Sequence, residues 1–277
     1  MLNLLAVTEI VKRALEEDLG AGDITSMALF SPSDRGGGVI LAKQEGIIAG
    51  LPVAELVFKL CPPGCTFTPL VPEGSRVQGG QEVARVEGPL LAILGGERVA
   101  LNFLQRMSGI ATLTSLYVEK VKPYKARICD TRKTVPGLRL LDKYAVRMGG
   151  GINHRWNLGD AVLLKDNHIK AAGSILKAIK RVREAIPLTT KVEVEVETIE
   201  QAAEALEGGA DLILLDNMEV AEMEKVVKLA AGRALVEASG GITLDRVAEV
   251  AATGVDFISV GALTHSVSAL DLSLELK

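Results

Sequence analysis

Apolar and polar positions follow two different rhythms along the chain. In the C-terminal half, apolar runs of strand length alternate with longer stretches of helical spacing. KVEVEV (191–196) reads as a strand, and Thr198 then opens a helical pattern that lasts to Gly208. DLILLDN (211–217) is a second strand, followed by a helix through Ala231. RALVEAS (233–239) and VDFISVG (255–261) are a third and a fourth, separated by ITLDRVAEVAATG. Two earlier runs, ARICDT (126–131) and AVLLK (161–165), bring the series to six. Such alternation predicts βαβ units and a parallel sheet. The N-terminal part differs. Residues 36–88 hold short β-like runs broken by Gly and Pro, which predicts a small β-rich unit. A helical pattern from Glu97 to Lys122 leads out of it, and the domain boundary is placed near residue 108.

Each of the six strands ends on a distinctive residue: Thr131, Lys165, Glu195, Asp216, Ser239 and Gly261. The last four recur every 21 to 23 residues. In parallel α/β barrels the ligand site is built at the carboxyl ends of the strands. Strand ends also turn polar simply by meeting water, but Lys, Glu, Asp and Gly-rich turns in one series favour a site. Glu195 and Asp216 end neighbouring strands, so their carboxylates are candidates to share Mg²⁺ with substrate phosphates, to bond ribose hydroxyls, or to steady a cationic transition state. Strand alternation puts Glu193, Glu195 and Glu197 on one face, a row of charge that is costly inside a barrel unless cations occupy the lumen. SGG (239–241) is expected to open a helix at its third residue, and VGALTHS (260–266) likewise; small residues at a helix start suit a phosphate.

Positive charge is concentrated between these elements. Residues 127–168 carry eight Lys/Arg against four Asp, although the whole chain is net −4. Arg132 and Lys133 follow the first barrel strand, Lys165 ends the second, and GGGINHR places His154 and Arg155 between them. Arginine grips carboxylates with two parallel hydrogen bonds, so a ligand bearing several carboxylates and phosphates accounts for the cluster better than a solvated face. A structural role for His168 competes evenly with ligand contact.

Composition removes other classes. Aromatic residues make up only 3%, which weighs against stacking on single-stranded nucleic acid, and the mild acidity weighs against duplex binding. No apolar run approaches the roughly 18 residues of a membrane span. The N-terminus lacks a basic n-region, and a cytoplasmic location is expected. Three cysteines fit a reducing compartment; Cys61 and Cys65 flank a Pro-Pro-Gly turn without a second metal-binding pair, and Cys129 reads as a packing residue.

Blocks along the whole chain resemble the quinolinate phosphoribosyltransferase family: EEDLGAGDIT (16–25), ERVALNFLQRMSGIAT (97–112), DTRKTVPGLRLLDKYAV (130–146), GGGINHRWNLGDAVLLKDNH (149–168), VEVEVE, LLDNM (214–218), EASGGI (237–242) and VGALTHS, in family order. The resemblance implies an N-terminal α/β sandwich, residues 1–108 joined by 266–277, and an open six-stranded parallel α/β barrel, residues 109–265. It implies transfer of phosphoribose from 5-phosphoribosyl-1-pyrophosphate to quinolinate with loss of CO₂ in NAD biosynthesis, using Mg²⁺. By the same resemblance Arg132, His154, Arg155 and Lys165 hold the quinolinate carboxylates. Lys133, Glu195, Asp216 and His265 serve the phosphoribosyl pyrophosphate and its metal, with Glu195 and Asp216 as the metal ligands. Ser239, Gly240, Gly241, Gly261 and Ala262 lie where the family binds phosphate. Arg98 corresponds to an arginine that enters the partner subunit's site in a homodimer.

Three rivals stand beside this reading. A related phosphoribosyltransferase, such as the molybdenum-uptake-associated relative, would act on another anionic ring. A Schiff-base aldolase would use Lys165 as a desolvated amine, but has little need of the arginines beside it. A lipoyl-type carrier would use residues 36–88, which lack a lysine in an exposed hairpin.

Overall fold

The computed structural model describes residues 2–277. The chain opens with α1 (Leu4–Leu19), α2 (Ile24–Leu29), β1 (Arg35–Ala42), β2 (Gly46–Ile47) and α3 (Leu51–Leu60). β3 (Thr66–Pro69), β4 (Arg76–Val77), β5 (Glu82–Pro89) and the long helix α4 (Leu90–Val121) follow. β6 (Arg127–Cys129), α5 (Arg139–Met148), β7 (Val162–Leu164), α6 (Asp166–Ala172) and α7 (Ile175–Ala185) come next. The regular alternation then runs β8 (Val192–Val196), α8 (Ile199–Glu207), β9 (Leu212–Asp216), α9 (Val220–Ala230), β10 (Leu235–Ser239), α10 (Val247–Ala252) and β11 (Phe257–Ser259). The chain closes with α11 (Ala262–His265) and β12 (Leu272–Leu276).

Two compact units result. The first comprises the residues up to Ser115, Thr134–Gly150 and Leu263–Lys277. Its antiparallel sheet runs β12-β1-β5-β3, with the C-terminal strand paired to β1 from Gly38↔Leu276 to Ala42↔Leu272. Helix α1 starts where Asn3 Oδ1 accepts the Ala6 N–H, and buries Val7, Val11 and Leu15, spaced four apart on one face. The start of α3 is closed by Glu73, whose two carboxylate oxygens accept the N–H groups of Gly50 and Leu51. The boundary expected near residue 108 falls inside α4, which begins seven residues before the helix expected from Glu97 and runs unbroken to Val121. Residues 134–150, expected in the barrel, belong to the first unit. Arg106 of α4 grips the fully buried Asp142 of α5 with two hydrogen bonds of 2.9 Å, a bidentate pair that ties α5 to α4.

The second unit, Leu116–Lys133 with Gly151–Ala262, is a parallel α/β barrel. Its six strands run in the order β6-β11-β10-β9-β8-β7, and β6 and β7 do not pair, so the barrel is open there. The segment after α5 runs alongside β6, where Ile152 bridges to Cys129. Each expected strand is present within a residue or two of its sequence bounds. In β8 the alternation is strict: Val192, Val194 and Val196 are fully buried on one side, while Glu193 and Glu195 point to the other, into the lumen. A repeated device sets the register at the opposite end. Asp211, just before β9, accepts the Val192 N–H, and Asp256, just before β11, accepts the Val236 N–H.

Candidate active site

Register brings the functional ends of the strands together. Val196 pairs with Leu215 and Asp216 with Ser239, so β8, β9 and β10 end within a residue of one another, with Glu195 two residues deeper than Asp216. They open into a cavity of about 550 Å³ that is also lined by Arg132, Lys133, His154, Arg155, Lys165, Gly240 and Gly241. Ten of the fourteen expected site residues thus share one cavity. Gly261 and Ala262 follow β11 in the same unit but are not among its lining residues. Arg98, on α4, and His265, on α11, belong to the first unit; His265 Nδ1 lies 2.6 Å from Ser266 Oγ.

Local chain geometry explains how each group is presented. Lys165 is the N-cap residue of α6, and its ammonium pairs with Glu195 while remaining 46% exposed. His168 Nδ1 accepts the Lys165 N–H at 3.0 Å, so its ring closes the start of α6. Asp216 accepts from the Asn217 side-chain amide at 3.0 Å. Asn217 itself lines the cavity in the left-handed region, with φ of 54°. Asn217 is not among the expected site residues, although an Asn directly after a strand-end Asp is a recognisable signal for such a turn. SGG does not open a helix: Gly240 and Gly241 have φ of 91° and 57°, which a right-handed helix does not admit, and α10 begins only at Val247 after a turn at 244–246. VGALTHS does lead directly into the single-turn helix α11.

The cations crowd one another. Burial, then the neighbouring Arg132 guanidinium, push the Arg155 pKa below its ordinary value, with Glu193 and Glu195 acting in the opposite sense. Arginine stays protonated regardless, so a bound anion relieves this repulsion. Beneath the cavity, the expected row of three glutamates grades with depth: Glu193 is buried at 4% exposure, Glu195 is intermediate, and Glu197, one residue beyond the strand, is exposed. Glu193 meets Glu237 from β10, a residue that strand alternation alone did not single out. His154 Nε2 lies 3.0 Å from Glu193 Oε2 and 3.6 Å from Glu237 Oε2. Burial first and Glu193 second raise the Glu237 carboxyl to about 7, with His154 opposing.

Fold and site together define a parallel α/β-barrel protein whose strand ends carry a cation-rich cavity suited to a polyanionic small molecule. The family model for the C-terminal domain of quinolinate phosphoribosyl transferase matches residues 110–275, and the model for its N-terminal domain matches residues 23–108. The chain is 43% identical to the probable nicotinate-nucleotide pyrophosphorylase [carboxylating] of Bacillus subtilis (strain 168), covering 99% of this chain and 95% of that one. It is 44% identical to the nicotinate-nucleotide pyrophosphorylase [carboxylating] of Mycobacterium leprae (strain TN), over 98% and 97% of the two. The crystal structure of NadC from Streptococcus pyogenes superposes with a TM-score of 0.96 at 42% identity, covering 100% of this chain and 98% of that one. The chain belongs to the quinolinate phosphoribosyltransferase family.

Proposed function

We propose that this chain is a pentosyltransferase of NAD biosynthesis, transferring phosphoribose from 5-phosphoribosyl-1-pyrophosphate to quinolinate to give nicotinate mononucleotide, pyrophosphate and CO₂. The observation that carries this reading is the single cavity where Arg132, Lys133, Arg155 and Lys165 face Glu195 and Asp216. The guanidinium and ammonium groups supply the charge to hold a ring dicarboxylate, with its nitrogen directed at the anomeric carbon. As the C–O bond to pyrophosphate breaks, positive charge grows on the ribose, and the Glu195 and Asp216 carboxylates stabilise it. The ring nitrogen then forms its bond to the ribose and becomes cationic. The adjacent carboxylate leaves as CO₂, and the electron pair left on the ring carbon takes up a proton.

Glu195 and Asp216 offer only hard oxygen donors at the cavity wall, a set that suits Mg²⁺ when diphosphate oxygens complete the shell. Bound there, Mg²⁺ would neutralise the diphosphate charge. The working unit is a homodimer in which Arg98 of the partner subunit enters the site. No helix among the described residues is long and apolar enough to cross a membrane, and a cytoplasmic location fits this substrate chemistry. A Schiff-base role for Lys165 is disfavoured because its amine is ion-paired and its side chain is nearly half exposed, where an aldolase needs a desolvated amine. The test is direct. CO₂ release from quinolinate should require both phosphoribosyl pyrophosphate and Mg²⁺, and release without either one would refute the assignment.

A further inference from the structure

His154, Glu193 and Glu237 form a largely buried cluster beneath the cavity. His154 Nδ1 accepts the backbone N–H of Arg155 at 2.8 Å, so that nitrogen carries a lone pair and no proton. His154 Nε2 faces two carboxylate oxygens, of Glu193 at 3.0 Å and Glu237 at 3.6 Å. A neutral ring whose Nδ1 accepts carries its one proton on Nε2, where the nearer acceptor is Glu193 Oε2. A cation held by these same three side chains is an alternative, because their ligand atoms all lie within 4.8 Å of one another. It conflicts with the Arg155 contact. A metal needs the Nε2 lone pair, and a ring giving both lone pairs would have to be an anion.

The same segment is held from a third side. The His154 N–H donates to Asp130 Oδ1 at 2.9 Å, and the Asn153 amide to Asp130 Oδ2 at 2.7 Å, with Asp130 fully buried. Beyond the histidine, the Arg155 guanidinium donates to the Ala161 carbonyl at 3.0 Å. The backbone from Asn153 to Arg155 is therefore pinned where the arginine leaves it. We infer that Glu193 and Glu237 are positioning residues: by holding His154 as the neutral Nε2–H tautomer they fix the Arg155 backbone, and so the aim of its guanidinium at a substrate carboxylate. In this arrangement His154, which itself lines the cavity, also holds the Arg155 backbone through its Nδ1.

The inference rests on the proposed substrates only for its kinetic arm. Long-range ¹⁵N–¹H spectra of the full chain read the ring protonation of its three histidines independently of any reaction, with His168→Gln and His265→Gln used to assign them. His154 should show the neutral Nε2–H pattern in the wild type and in Glu193→Gln, whose amide oxygen still accepts. Glu193→Ala and Glu237→Ala should lose the pure pattern. In these alanine variants KM for quinolinate should rise on the order of tenfold, as loss of a ligand-orienting partner commonly does. KM for phosphoribosyl pyrophosphate should change far less, and Glu193→Gln should stay close to wild type. An imidazolium or Nδ1–H pattern for His154 in the wild type overturns the inference, as does an unchanged quinolinate KM in both alanine variants. Stoichiometric Zn²⁺ or Mn²⁺ binding that is lost in Glu237→Gln overturns it in favour of a cation site. If the alanine variants fail to fold, the wild-type and glutamine spectra still decide. Failure of the wild type to release CO₂ from quinolinate would instead sink the function and leave the tautomer result standing.

Discussion

Gly240→Ala tests how tightly the loop after β10 is built against the loop after β9. At Gly240 φ is +91°, and an added Cβ would lie 2.5 Å from Asn217 Cγ and 2.8 Å from the Asn217 backbone nitrogen, with the side-chain oxygen closer still. Two costs follow. A non-glycine residue in the left-handed region costs about 1–2 kcal/mol, and forcing an atom into occupied space costs about 1–3 kcal/mol. Gly232 isolates the first cost, because its φ is +78° and an added Cβ there meets nothing within 4 Å. At about 2–4 °C per kcal/mol for a chain of this size, Gly232→Ala should lower Tm by about 2–8 °C, and Gly240→Ala by up to about 20 °C. The two should separate more sharply in kinetics. Asn217 donates to the Asp216 carboxylate at 3.0 Å, so pushing Asn217 aside disturbs a hydrogen bond to a charged group. Such a bond is worth about 1.5–3 kcal/mol, or about tenfold and more in KM for phosphoribosyl pyrophosphate. Thermal unfolding and steady-state kinetics on both variants supply the comparison. Equal Tm losses with equal KM values would show that Gly240 is needed for its φ alone and that the packing argument is wrong.

Four further outcomes are expected. Arg132→Lys and Arg155→Lys keep charge but lose the fork, so quinolinate affinity by calorimetry should fall by about 2–3 kcal/mol in each; near-normal binding in both would remove the carboxylate clamp. Nicotinate, with one carboxylate fewer, should turn over at least about 100-fold less well because cations are left unpaired, and comparable rates would contradict the substrate reading. Glu237 has its carboxyl raised to about 7, first by burial and then by Glu193. The folded state therefore binds this proton more tightly than the unfolded chain, and the stability it contributes at low pH is lost as pH rises through about 7; Glu237→Gln should flatten the fall in chemical-denaturation stability across that window, and an unchanged slope counts against the shift. Arg98→Ala and Lys165→Ala should each be nearly inactive alone, yet co-refolded in equal amounts they should recover about a quarter of wild-type activity if Arg98 acts across a symmetric dimer; a dead mixture containing heterodimers would place Arg98 in its own chain's site.

Periodicity made the barrel legible because burial writes itself into the strands. The run from Val192 to Val196 alternates apolar and acidic residues only because one side meets helices and the other meets the lumen. The placement of the strand-end groups was legible for the same reason: Lys165, Glu195 and Asp216 break apolar runs where the cavity opens. Three features were not. Asp142 looks like one more charged residue in a basic stretch, and only its fork with Arg106 shows that α5 belongs to the first unit. The SGG loop looks like a helix start because glycine permits either hand, and only the positive φ at Gly240 and Gly241, with Gly240 packed close against Asn217, shows the loop. Glu237 stands alone in RALVEAS, so no spacing flagged it; its importance comes from Glu193, two strands away in the sheet.

That last case shows what a one-dimensional pattern omits. Inward positions along a strand are about 6.6 Å apart, two residues at about 3.3 Å each, so identical side chains on one face sit at different depths. Glu193, deepest, faces His154 and Glu237, with its second carboxylate oxygen buried away from any partner and from the open cavity. Glu195, one step up, pairs with Lys165 and still borders open cavity, which leaves it available to a substrate. Glu197 has passed the end of the strand, where its N–H is taken by Gln201 and its side chain meets water. The desolvation cost of a carboxylate falls along this path, and its freedom to meet a ligand rises. A reactive carboxylate needs enough burial to strengthen its field and enough opening to admit the substrate. In this strand only the middle glutamate satisfies both, and the deeper one can serve the reaction only by fixing other residues in place.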